Sequence, residues 1–276
     1  MITETERKRI IDLIHQEVVP AIGCTEPIAV ALCVAKATET LGTKPEKINV
    51  LLSANILKNA MGVGIPGTGM IGLPIAIALG ALIGKSEYQL EVLKDSTPDV
   101  VEEGKRFIEE KRIHISLKEN IEEKLYIEVC CEAGDDKATA VIAGGHTTFI
   151  YIERNGEVLF QKQHTASCEK EEECLELTLR KVYDFALNTP LDEISFILET
   201  ARLNKAAAER SFEGNYGHGL GKMLRGTYEH KVMGDSVFSH ILSYTSGACD
   251  ARMAGAMIPV CLLYTSPSPR DVEESR

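Results

Sequence analysis

An α+β fold is the class this sequence predicts, and three observations carry it. Apolar residues recur at helical spacing through the first forty and again from about residue 171 onward; between about 113 and 161 short apolar runs follow one another like strands. Between the last two of those runs stands Asn155-Gly156, a strong hairpin signal. The expected organisation is a helical part, residues 1–44 and about 166–260, with a sheet-containing lobe at about 45–165 inserted in it.

Taken in order, Thr3 and Glu6 form a capping box ahead of Ile10, Ile11, Ile14 and Val18, which predicts an opening helix with one face packed inward. Pro20 and Gly23 break it. Cys24-Thr25-Glu26-Pro27 then marks a second helix start, running to about Gly42, with Cys24 at its N-terminus, where the helix dipole favours thiolate over thiol. Ile48–Ser53 reads as a strand, followed by the polar group Asn55, Lys58, Asn59 and the glycine-rich stretch Gly62–Gly72. Leu73–Gly84 reads as a buried helix, and Asp95–Lys111 as a surface helix starting at Ser96-Thr97-Pro98. Strands are expected at His114–Leu117, Leu125–Cys131, Ala138–Ile142, Thr147–Glu153 and Val158–Gln161, together an antiparallel sheet. Helical spacing returns through Leu175, Leu179, Val182 and Phe185, then Ile194, Ile197 and Leu198 into Ala201–Ala208. A loop at Gly214–Gly219 and a helix near Val237–Tyr244 follow. Beyond Cys261 the chain turns polar, with Ser266-Pro267-Ser268-Pro269 and no apolar period, so residues 261–276 are expected to be a non-native tail that adds nothing to the core.

At 276 residues the chain suits one or two domains, and 44% hydrophobic with 26% charged residues is ordinary globular composition. A net charge of -11 disfavours nucleic acid and anionic membranes as partners, leaving a small molecule as the expected one. The start has no apolar signal-peptide core. The uncharged stretch from Asn59 to Gly84 carries Pro66 and Pro74, and its dense apolar part is too short to cross a bilayer. No membrane association is expected, and the compartment reads as reducing cytoplasm. There the eight cysteines, none in a CxxC pair, are core thiols, catalytic groups or metal ligands more plausibly than disulfides. Oligomeric state is open.

Two nucleotide-binding patterns fail on context. Gly62-x-Gly64-x-x-Gly67 does not directly follow a strand, and Pro66 interrupts the helix start it needs; Gly80–Ser86 is one residue short of a P-loop and follows a helix. The chemically richer constellation is Cys24-Thr25-Glu26 with Asn55, Lys58 and Asn59 and with Gly67-Thr68-Gly69: a thiol at a helix start facing amide, ammonium and backbone donors, suited to a metal and an anionic ligand such as an amino-acid carboxylate. The same residues also read as a buried cysteine, a cap, a solvated lysine and packing glycines. His146, in Gly144-Gly145-His146-Thr147 before a strand, is a candidate base or a structural turn residue.

The blocks AIGCTEPIAVAL (21–32), LLSANILKNAMGVGIPGTGMIGLPIAIALGAL (51–82), EVLKDSTP (91–98), AGGHT (143–147) and DARMAGAMIPV (250–260) resemble the L-cysteine desulfidase family. That family is also described as serine dehydratase alpha-chain-like and, for bacterial members, as an uncharacterised protein family. The resemblance spans about residues 8–260. It implies a lyase of amino-acid catabolism that breaks L-cysteine into sulfide, ammonia and pyruvate on a 4Fe-4S cluster held by three cysteines, with one iron open to substrate. It places the metal ligand at Cys24, catalytic roles at His146 and Lys58, and substrate binding at Thr25, Glu26, Asn55, Asn59, Thr68 and Gly69. The family continues beyond the MIPV block into a serine- and glycine-rich loop and two further ligand cysteines. The resemblance therefore implies that this chain is C-terminally truncated, exposes surface that the missing part covers, and is inactive as it stands. L-serine dehydratase is the near alternative, and a non-catalytic small-molecule-binding remnant the distant one.

Overall fold

A computed structural model describes residues 2–121, 123–162, 177–226 and 234–263. In chain order the elements are α1 (Glu4–Glu17), β1 (Val18–Ile22), α2 (Thr25–Leu41), β2 (Lys47–Leu52), α3 (Ala54–Ala60), α4 (Leu73–Ile83), α5 (Pro98–Glu109), β3 (Ile113–Leu117), β4 (Tyr126–Ala133), β5 (Asp136–Ala143), β6 (Phe149–Arg154), β7 (Glu157–Gln161), α6 (Leu179–Asn188), α7 (Leu191–Ile194), α8 (Leu198–Glu213), α9 (Leu220–Arg225), α10 (Val237–Met253) and β8 (Pro259–Leu263). The fold is α+β. Leu175, with which helical spacing is expected to return, Cys168 and Cys174, and the tail beyond Leu263 lie outside the described residues.

The core is made where α2 and α4 meet the sheet. Residues Pro27 to Ala35 of α2 are apolar on every side, so the helix has no face to offer water and all of them are buried. It stops at Gly42, whose φ of 80° lets its N–H reach Thr38 O at 3.0 Å. In α4 no side chain is charged, and Leu73 and Ile75 to Ala81 are buried. The two helices approach so closely that a Cβ on Gly80 would stand 2.6 Å from the Ala31 carbonyl oxygen. Against them lie the inward residues of three strands at alternating positions: Ile48, Val50 and Leu52 of β2, Ile127, Val129 and Cys131 of β4, Ala138, Ala140 and Ile142 of β5. Burying an aliphatic side chain of this kind contributes about 1.5–3 kcal/mol before entropy is counted.

The sheet runs β3-β2-β4-β5-β6-β7. The expectation of an antiparallel sheet needs one correction, since β2 and β3 are parallel. The chain between them passes through α3, α4 and α5, and a crossover of that length returns the next strand in the same direction. The other pairs are antiparallel, and β6–β7 turns through Asn155 and Gly156 at φ 51° and 86°, the left-handed pair that a type I′ turn requires. Short α3 occupies what the sequence showed only as a polar group.

A second, two-stranded sheet joins β1 antiparallel to β8. Cys261 to Leu263, assigned in the sequence to the tail, form the end of β8, and Asn204 of α8 holds Cys261 by both backbone groups, at 2.9 and 3.2 Å. Beside this ribbon α8, α9 and α10 pack together. Among the described residues no helix is long and apolar enough to cross a membrane.

Candidate functional site

The start of α2 is positioned by interlocking glycines. Gly23 has φ 83°, and a Cβ there would come within 2.5 Å of Pro66 Cγ, so the turn before Cys24 lies directly on the glycine-rich loop. That loop docks on the end of α10: Gly64 N–H donates to Met253 O at 2.9 Å, Gly67 N–H to Gly255 O at 3.2 Å, and a Cβ on Gly64 would collide with the Ala254 carbonyl at 2.4 Å. Three segments distant in sequence are thereby clamped together. The consequence is that Arg252, in the last turn of α10, reaches Cys24, its Nη2 lying 3.8 Å from Sγ.

Cys24 is the N-cap of α2 but makes no side-chain cap; its thiol donates instead to Glu26 Oε2 at 2.9 Å, and the Thr25 hydroxyl donates to the same oxygen at 3.1 Å. Burial pushes the Cys24 thiol up to about 12, and the Glu26 charge adds to the effect while Arg252 opposes it. The expected thiolate is therefore corrected to a thiol. A helix dipole contributes only about 0.3–1 kcal/mol, too little to outweigh desolvation and an adjacent carboxylate. Burial also works to raise Glu26, yet the Cys24 thiol, the helix N–H and the Thr25 hydroxyl, with His146 whenever that ring is protonated, hold its carboxyl below the ordinary range. His146, in the loop between β5 and β6, is driven below the ordinary histidine value first by burial and then by Arg252, against the pull of Glu26. The site is thus a carboxylate, a thiol, a neutral imidazole and a guanidinium. Among the described residues the buried Arg252 Nε has no hydrogen-bond partner, so the guanidinium keeps a donor to offer.

Of the residues expected to act together, the fold unites Cys24, Thr25, Glu26 and His146. Asn55, Lys58 and Asn59 ride on α3, with Asn59 buried and the other two half-buried. The Thr68 hydroxyl is spent within its own loop, donating to Ile65 O at 2.8 Å and accepting from Met70 N–H at 2.9 Å; Gly69 is exposed at φ 65°. Arg252 is the residue that sequence reasoning missed. Its block, DARMAGAMIPV, stood out, but nothing local in it signals that the arginine faces a helix start 228 residues away.

Among the described residues no group of three or more His, Cys, Asp or Glu is placed to hold a metal ion. Cys33 points into the core toward Ile127 O and Ala140 O, Cys130 and Cys131 sit on β4, Cys249 is exposed on α10 and Cys261 lies on β8. One thiol reaches the site where three would be needed, so the described residues do not by themselves fit a cluster bound by three cysteines.

The sequence is similar to proteins named UPF0597. One from Bacteroides fragilis is 81% identical over 258 residues, 94% of this chain and 60% of that protein. One from Bacteroides thetaiotaomicron is 80% identical over 93% of this chain and 60% of its own length, and one from Chromobacterium violaceum is 44% identical over 89% and 57%. The chain thus spans about 60% of the length of the curated relatives it matches. No family model and no solved structure matches it. These relatives correct the assignment to the L-cysteine desulfidase or serine dehydratase alpha-chain-like family: the shared name is UPF0597 protein, which states no activity.

Proposed function

We propose that Cys24, Glu26, His146 and Arg252 form the substrate end of a site for β-elimination from a small α-amino acid, L-cysteine foremost, within a protein longer than this chain. The observation that carries the reading is the convergence of a half-buried arginine, whose buried Nε has no hydrogen-bond partner among the described residues, on a neutral imidazole and a carboxylate. Arg252 suits the substrate carboxylate, since a guanidinium meets a carboxylate through paired N–H donors. Glu26 offers its charge to the substrate ammonium. His146, neutral, takes the α-proton; the Cα–Cβ double bond forms as the Cβ–S bond breaks and hydrosulfide leaves. The aminoacrylate tautomerises to an imine, which water converts to pyruvate and ammonia.

A 4Fe-4S cluster would supply a Lewis acid for the leaving group. Of the described cysteines, Cys24 is the one that would hold it, the other ligands having to come from outside the described residues. Serine fits the same donors with hydroxide as leaving group, so the two substrates part only in turnover.

The test is an anaerobic assay of a chimera in which this chain replaces the matched stretch of the Bacteroides fragilis relative. Sulfide and pyruvate from L-cysteine are the expected products, with Arg252→Lys raising KM and His146→Gln lowering kcat. Pyruvate from L-serine alone transfers the reading to a dehydratase. Saturable binding of either amino acid without product would leave a binding site, and neither binding nor product would end the proposal.

A further inference from the structure

Two helices of the second half turn large apolar residues to solvent. In α10 the residues turned inward are Ser239, Ser243, Gly247, Asp250 and Ala251, small or polar, while Val237, Phe238 and Ile241 face solvent at 78%, 61% and 56% exposure. The inward choice has a local reason: a Cβ on Gly221 of α9 would lie 2.3 Å from Gly247 N, so only small side chains fit between these helices. The outward choice has none within the described residues. In α6 the inward residues are Asp184 and Phe185, while Leu179, Val182, Tyr183 and Leu187 form an i, i+3, i+4, i+8 stripe exposed at 87%, 48%, 60% and 65%. A helix stripe of this kind normally faces a core, and contiguous exposed apolar surface marks an interaction site.

We infer that the outward faces of α6 and α10 are docking faces for polypeptide, and that their occupant is the portion of chain the relatives carry beyond the stretch matched here. The Bacteroides fragilis relative is matched over 60% of its length, which leaves about two fifths of a protein otherwise 81% identical to this one. A segment of that size can bury both stripes, and the interface would be a core divided between two stretches of one protein, hence its large aliphatic and aromatic character. This rests on packing alone and is independent of the chemistry proposed for Cys24.

Hydrogen exchange compares the 276-residue chain with the full-length relative, both purified and measured at one concentration, with their masses in solution determined by light scattering. Amides of α6 and α10 are expected to exchange at least tenfold more slowly in the full-length protein, while those of β4 and β5 exchange alike in both. Equal exchange of α6 and α10 in the two proteins overturns the inference. So does a dimer of the short chain that Ile241→Glu dissociates, because the face would then belong to a second copy. Should Ile241→Glu fail to fold by circular dichroism, Ile241→Ser serves in its place.

Discussion

Gly64 shows how a position without a side chain builds the site. Its Cα lies so near the Ala254 carbonyl that any Cβ must push the loop from the end of α10, and with it the contact between Arg252 and Cys24. Gly64→Ala is expected to destabilise by about 1–3 kcal/mol, the usual penalty for overpacking, and to weaken amino-acid binding. Gly62→Ala, with nothing within 4 Å of the added carbon, leaves both unchanged; thermal unfolding and calorimetry of the pair test this. Cys24 makes the complementary point. Its place at a helix start was legible from Thr25-Glu26-Pro27, but its protonation was not, since burial and the direction of the Glu26 side chain are tertiary facts.

Helix α1 and the β6–β7 hairpin were legible in advance because each is specified by residues within reach of one another. Thr3 accepts from Glu6 N–H at 3.2 Å while Glu6 Oε2 accepts from Thr3 N–H at 2.9 Å. With these bonds and Lys181 of α6, 2.9 Å away, the Glu6 carboxyl is held from its ordinary 4.5 down to about 2. A depressed carboxyl contributes stability that is complete above its ordinary value and lost as pH falls through the depressed one. Wild-type protein is therefore expected to lose stability between pH 4.5 and 2 through this group, and Glu6→Gln to remove that part of the loss, as read from denaturation midpoints across the range. Helix α3 was not legible: seven residues without a side-chain cap carry little local signal and are held by what surrounds them. The parallel pairing of β2 with β3 was hidden for a related reason, as strand direction depends on the path of the intervening chain.

Over the molecule, the β1–β8 ribbon ties the beginning of the chain to the end of its described part, and Asn204 secures it from α8. Asn204→Ala would remove both side-chain bonds to the Cys261 backbone; a loss of about 1–3 kcal/mol is expected, with faster hydrogen exchange confined to Val18–Ile22 and Pro259–Leu263. Asn204→Asp should restore only the bond donated by Cys261 N–H, and fall between the two. The exposed apolar stripes of α6 and α10 belong to the same scale, because no described residue covers them. By itself the sequence determined the α+β class, the caps, the hairpin and the buried character of α4, all of which follow from periodicity and side-chain chemistry within a few turns of chain. Only the tertiary structure decided that Arg252 faces Cys24 across 228 residues, that Thr68 closes its own loop, and that small residues line the inside of α10. These depend on which surfaces meet, and contact between distant segments leaves no local period in a sequence.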